Sequence, residues 1–226
     1  MNEKTLKEKI LEYVGPSYSE LKQDIMILTL LQEKHEGTFV EFGGFDGETG
    51  SNSLLFEKYY NWRGIIAEPN KKFHSHLAEI RSCYIDHRAV HSKSYGTLEF
   101  KEIDQYPGLS TLTESLDSDH HSKKRNRSPG NVYQVELVSL IDLLDSYSLS
   151  KEIDYISIDT EGSELSILKS FDFQKYNIKI WTIEHNYVDS VRNEIYEIMC
   201  KHNYMRILVN ESQYDDWYVK KELLEN

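Results

Sequence analysis

Apolar positions along the chain change their spacing repeatedly, and each change marks an element. Residues 3–14 and 19–34 carry them at helical spacing; Ile25, Leu28 and Leu31, with Ile27 and Leu30, give the second helix a broad apolar face. Gly15-Pro16 separates the two. The spacing then shortens. "TFVEF" (38–42) predicts a strand closed by Gly43-Gly44, followed by a helix over 51–61 with Ser51 or Asn52 as its cap. Strand 63–68, helix 70–80 and strand 83–90 come next, and "GTLEFKEI" (96–103) alternates as an antiparallel strand does. The second half predicts strand 132–138, helix 139–147, strand 154–159, helix 163–170 and strand 178–184. Helix 188–202 carries Val188, Val191, Ile195, Ile198 and Met199 on one face, and strands near 204–209 and 216–220 close the chain.

Alternating strands and helices predict an α/β fold. "YISI" is apolar on both faces, as buried parallel strands are. The expected architecture is a doubly wound, mostly parallel sheet with helices on both faces and an antiparallel last strand, binding ligands at the carboxyl ends of its strands. Residues 1–226 read as one domain, with N-terminal helices over 1–35. The polar stretch 104–131, bounded by Pro107-Gly108 and Pro129-Gly130, reads as a mobile lid or a plain insertion.

Charge narrows the partners. The chain has 38 acidic and 26 basic residues and a formal net charge of −12. That balance argues against nucleic-acid binding, which relies on Lys and Arg at phosphates. No apolar run is long enough for a membrane span, and the N-terminus has no signal-peptide core. Cys83 and Cys200 lie inside periodic segments, so unpaired thiols in a reducing cytoplasm are expected.

"FVEFGGFDG" (39–47) carries the chemistry of the first half. A nicotinamide fingerprint beginning at Gly43 needs glycine at 45 and 48, where Phe45 and Glu48 stand. No Gly-Lys-Ser/Thr follows, so a phosphate loop fails as well. What fits is acid-x-Gly-x-x-x-Gly: Glu41, Gly43 and Gly47. The glycines allow a tight turn and close ligand approach, and the acid suits an ammonium group. The next strand ends in Glu68, which can accept two ribose hydroxyls. A ligand with a ribose, an ammonium group and no phosphate is S-adenosylmethionine, whose positive charge also suits an acidic protein. A binding module without catalysis and an NAD-dependent oxidoreductase are the alternatives, the latter disfavoured by the failed fingerprint.

With "FVEFGGFDGETGSNSLLFEK" (39–58), "NWRGIIAEPN" (61–70), "DYISIDTEGSELSIL" (154–168) and "WTIEHN" (181–186), the chain resembles the FkbM-type S-adenosylmethionine-dependent methyltransferases. The resemblance spans about 39–186. It implies a Rossmann-like methyltransferase fold and methyl transfer to oxygen, commonly a hydroxyl of a sugar or natural product. It implies cofactor roles for Glu41, Gly43, Gly47, Ser51, Asn52 and Glu68. Phe45-Asp46 departs from the small residues of many members. The expected partner is a small-molecule acceptor such as a sugar or nucleotide sugar in polysaccharide biosynthesis, with a homodimer among the assemblies allowed.

A hydroxyl acceptor needs help in losing its proton. Asp159-Thr160-Glu161 and Glu184-His185-Asn186 stand at the ends of two strands that are neighbours in this topology, making Asp159, Glu161 and His185 candidates for catalysis. In one reading Asp159, Glu184 and His185 hold magnesium or manganese. In another His185 is a metal-free general base. In the plainest, Asp159, Glu161 and Ser163 cap the helix over 163–170. On the polar stretch, His120, His121, Arg125 and Arg127 could grip an anionic acceptor, and Tyr106 and Tyr133 could stack on a sugar ring. Trp62 and Trp181 read as core.

Overall fold

The computed structural model describes residues 2–225. Two helices, α1 (Glu3–Glu12) and α2 (Gln23–Leu30), precede β1 (Thr38–Phe42). Then come α3 (Leu54–Tyr60), β2 (Arg63–Ala67), α4 (His74–Ile80), β3 (Tyr84–Asp86), β4 (Ala89–His91), β5 (Thr97–Ile103), β6 (Thr111–Leu112) and α5 (Ser122–Arg127). The second half runs β7 (Gly130–Ser139), α6 (Leu140–Ser146), β8 (Glu152–Ile158), α7 (Glu164–Ser170), β9 (Asn177–Glu184), α8 (Asp189–Lys201), β10 (Tyr204–Ile207), β11 (Asp215–Lys220) and α9 (Lys221–Glu225).

The main sheet has seven strands in the order β3-β2-β1-β8-β9-β11-β10. Neighbours from β3 to β9 pair in parallel, and β11 runs antiparallel to both β9 and β10. This is the Rossmann-like methyltransferase topology that the resemblance implied, with the chain reversing its winding direction between β1 and β8. Both faces are covered. Leu6, Ile10, Ile25, Met26, Ile27, Leu28, Leu30, Leu55, Phe56 and Leu77 of α1–α4 pack on one face with Phe39 and Tyr155. Leu143, Ile167, Leu168, Ile195 and Met199 of α6–α8 pack on the other with Val40, Phe42, Ile156 and Ile158. Alternate residues of one strand thus serve opposite cores, which is why β1 and β8 carry apolar residues on both faces.

The expected strand over 83–90 is two strands. Asp86 accepts hydrogen bonds from the Arg88 backbone and guanidinium, which bends the chain between β3 and β4. β4 then joins a separate four-stranded sheet, β4-β7-β5-β6, with its own small core of Ala89, Phe100, Leu112, Val135 and Leu137. The helix expected from residue 19 begins at Gln23. Asp24 accepts from Ser17 Oγ and the Tyr18 and Ser19 amides, folding that stretch into a turn with Lys22 at φ 61°. Trp62 and Trp181 are core, and both cysteines are free thiols. Among the described residues no helix is long and apolar enough to cross a membrane.

Candidate active site

β1, β2, β8 and β9 end at one edge, and a cleft of about 490 Å³ opens over their carboxyl ends. The register places Phe42 between Ala67 and Ile158, so Gly43 lies between Glu68 and Asp159. Gly43 has φ +67°, and a Cβ there would stand 1.8 Å from the Asp159 carbonyl oxygen. Only glycine allows the chain to turn here against its neighbour. Gly47, at φ +82°, closes the loop with a bond to Gly44 O.

Glu68 is 5 % exposed. Its Oε2 accepts from the Phe45 amide at 2.8 Å and its Oε1 from the Asn70 amide at 2.7 Å. The two bonds fix the carboxylate and leave one lone pair on each oxygen, the pattern a vicinal diol needs. Burial pushes its pKa up to about 7, against the lowering effect of those two amides.

Glu41 is also at the cleft, but its oxygens are occupied by the turn that follows. Ser51 Oγ donates at 3.1 Å, the Asn52 amide at 2.7 Å, and Ser53 Oγ makes a third bond. These bonds consume the groups expected to cap the helix, so α3 begins three residues later than predicted, with Ser53 at its N-cap. Asn52 Nδ2 donates to Ser157 Oγ at 3.0 Å, while Asn52 Oδ1 is buried without a partner.

Arg81 is the residue that sequence reasoning missed. Its fully buried side chain donates to Gly47 O, Ser51 Oγ, Ser53 Oγ and Glu57, and lies 3.8 Å from Glu41. One cation thus braces the entire glycine loop. Thirty residues separate it from Ser51, and it follows α4 on what reads as an ordinary polar helix end, so no local signal marks it.

The other side of the cleft is acidic. Ile158 pairs with Ile183 and Glu184 with Asp215, so Asp159, Glu184 and Asp215 meet across three strand ends. Glu161 joins them from a turn at φ 59°. One oxygen each of Asp159, Glu161 and Glu184 lies within 4.8 Å of the others. Burial first, and then the neighbouring carboxylates, push the pKa values of Asp159 and Glu184 well up. Burial raises Glu161 to about 7 despite Arg125, and Asp215 to about 7 despite a hydrogen bond from Gln23. With Glu20, Glu41 and Glu68, seven carboxylates line the cleft, and among the described residues no lysine or arginine does.

Several expected roles change. His185 does not face this cleft: its Nε2 lies 3.1 Å from the Asp215 carbonyl and its Nδ1 accepts from the Tyr187 amide at 3.0 Å. Both ring nitrogens are engaged, burial lowers its pKa, and the ring borders a separate cavity of about 250 Å³ beside α7. Asp159 and Glu161 do not cap that helix. Its N-cap residue, Ser163, makes no side-chain cap bond either, and Glu164 instead ties down the preceding turn, accepting from the Thr160 and Gly162 amides. Arg125 is not free for an anionic acceptor: its side chain is wholly buried, paired with both oxygens of Asp119 at 2.8–2.9 Å and with Glu161. The segment 104–131 is therefore folded rather than loose, built from two 3-10 turns, β6 and α5 around that pair. Its Tyr106, Leu109, Ser110 and His121 form the outer wall of the cleft. Tyr133 hydrogen-bonds to the Lys71 amide beneath it.

The family model described as "Methyltransferase FkbM domain" matches residues 41–205. No curated protein matches the chain. Among solved structures, precorrin-6y C5,15-methyltransferase from Geobacter metallireducens matches at 14 % identity over 86 % of this chain and 78 % of its own, with a TM-score of 0.39. A putative RNA methyltransferase from Pyrococcus horikoshii matches at 10 % identity over 97 % of this chain and 98 % of its own, with a TM-score of 0.43.

Proposed function

The chain belongs to the methyltransferase FkbM domain family, and from that premise we propose that it methylates a hydroxyl of a sugar or related polysaccharide precursor. Use of S-adenosylmethionine follows from the family. The observation that carries the finer reading is the two-sided cleft. On one side, glycine-loop amides and a fixed, half-satisfied Glu68 suit a ribose. On the other, buried carboxylates suit a proton-bearing acceptor.

In this reading Glu68 accepts both ribose hydroxyls, Gly43 and Gly47 let the cofactor approach the backbone, and Asn52 Oδ1 takes a donor from it. Glu41 and Ser51 hold the loop in shape rather than the ammonium. Bound there, S-adenosylmethionine would supply the methyl group to the acceptor oxygen and keep the carbon–sulfur bonding pair on sulfur, and Asp159, Glu161 or Glu184 would take the hydroxyl proton. A carboxylate raised toward neutrality is a better base for this than an ordinary one. Positive charge is lost from sulfur in the step, so the acidic lining also favours the substrate form of the cofactor over the neutral product.

The same lining favours a neutral sugar over a nucleotide sugar, whose diphosphate would meet carboxylates and no cation. It equally disfavours a nucleic-acid acceptor. The wall formed by residues 104–131 acts as the acceptor's cover, and that cover, the N-terminal helices and the sheet work as one domain. Free Cys83 and Cys200 suit a reducing cytoplasm.

Calorimetry tests the cofactor half. Glu68→Ala removes two hydrogen bonds to a charged acceptor, about 3 kcal/mol, so S-adenosylmethionine affinity falls roughly a hundredfold. Unchanged affinity would remove Glu68 from the site. Methyl transfer screened over neutral sugars, nucleotide sugars and RNA tests the acceptor.

A further inference from the structure

Asp159, Glu161 and Glu184 present oxygens that all lie within 4.8 Å of one another. Ligands of an octahedral magnesium or manganese ion stand about 3 Å apart when adjacent and about 4.2 Å apart when opposed. The set is therefore about half an ångström wider than such a shell at most, a difference that small side-chain rotations close.

Crowded acids alone do not make a site, but Glu184 adds an independent observation. Its Oε2 is buried and receives no donor N–H or alcohol O–H, in a residue 6 % exposed that lines the cleft and whose carboxyl meets that of Asp159. A buried carboxylate oxygen left in that state lacks a proton donor or a cation. No lysine or arginine among the described residues of the lining supplies one.

Glu161 points the same way. Arg125 and Asn186 both bond its Oε2, so neither engages Oε1. The remainder of the frame is stiff. Asp159 and Glu184 extend two paired parallel strands, and Glu164 ties down the intervening turn through the Thr160 and Gly162 amides. Every ligand offered is oxygen, which selects a hard ion. The imidazole of His185, turned to the Asp215 carbonyl, is outside the set.

We propose that Asp159, Glu161 and Glu184 hold one hard divalent cation, magnesium or manganese, through their carboxylate oxygens. Only the use of that ion rests on the function proposed above: bound there, it would lower the pKa of an acceptor hydroxyl at the methyl end of the cleft. The acids then act as ligands, with the proton leaving to one of them or to water.

Manganese titration followed by electron paramagnetic resonance tests the binding by itself, with and without S-adenosylhomocysteine. The expected result is one saturable site, weakened at least tenfold in Glu184→Gln and in Asp159→Asn, with magnesium competing. No saturable binding under either condition, or equal binding by wild type and both variants, overturns the proposal. S-adenosylmethionine calorimetry in chelator, run on the same samples, separates the two readings and checks that each variant is folded. Cofactor binding without manganese binding sinks the cation site and leaves the methyltransferase reading standing. Manganese binding without cofactor binding does the reverse.

Discussion

The two sides of the cleft treat their acids in opposite ways. On the glycine-loop side, Glu41 and Glu68 are each met by donors: hydroxyls, backbone amides and the Arg81 guanidinium. On the strand-end side, Asp159, Glu161, Glu184 and Asp215 chiefly face one another, and their nearest cation, Arg125, is shared with Asp119. The first side is built to hold its shape without a ligand. The second crowds acids whose charged forms are disfavoured by burial and by one another, which stabilises nothing in the empty protein and is useful when a proton or cation is exchanged there.

The largest expected effect breaks the well-satisfied side. Arg81→Ala strands Glu57 and removes the brace from Gly47, Ser51 and Ser53, costing about 3–5 kcal/mol in denaturant unfolding. A cost below about 1 kcal/mol would mean that the loop does not depend on this cation.

Proton linkage comes next. Glu68 has a folded pKa of about 7 against an ordinary 4.5. Its contribution to stability is complete below the unfolded value and is lost as pH rises through about 7. Across that window the loss is about 3 kcal/mol. Glu68→Gln should flatten this part of the stability–pH curve, and wild-type affinity for S-adenosylmethionine should rise over the same range as the carboxylate ionises. A Gln variant with the wild-type slope would place the titration elsewhere.

Matched substitutions sharpen the contrast through their signs. Glu41→Gln loses charge-assisted bonds to Ser51, Asn52 and Ser53 and should cost about 2 kcal/mol. Glu184→Gln relieves repulsion among buried acids and should stabilise the cation-free protein by about 1 kcal/mol at pH 8, while methyl transfer collapses. Destabilisation by both would erase the distinction between the two sides.

The smallest effect concerns His185. Because its ring nitrogens are held by backbone groups outside the cleft, His185→Gln should leave the shape of the pH–rate profile unchanged. Loss of a limb near the imidazole range would restore the metal-free base.

Most of the sheet was legible because its signals are local. Apolar runs placed β1, β2, β8 and β9 within a residue or two, and Gly43 and Gly47 marked the turn after β1, where both adopt positive φ. Misreadings arose where a polar side chain captured nearby backbone. Asp24 shortened the second helix, Glu41 delayed the third, and Asp86 with Arg88 split an apparently continuous strand between two sheets. The segment 104–131 read as loose because its anchor, Arg125, looks like one member of a solvated basic run.

By itself, the sequence determined the doubly wound class, the glycine loop, the acid after β2 and the acids after β8 and β9, since strand period and turn chemistry act over a few neighbouring residues. Tertiary structure alone decided which of those acids meet. The parallel register of β8 and β9 sets Asp159 beside Glu184, and β11 adds Asp215 from farther along the chain. A single residue of slip would turn each side chain to the opposite face. The same long-range packing decided that Arg81 braces the loop, that Arg125 is buried against Glu161, and that His185 turns away, because burial and pairing depend on partners that no local pattern can name.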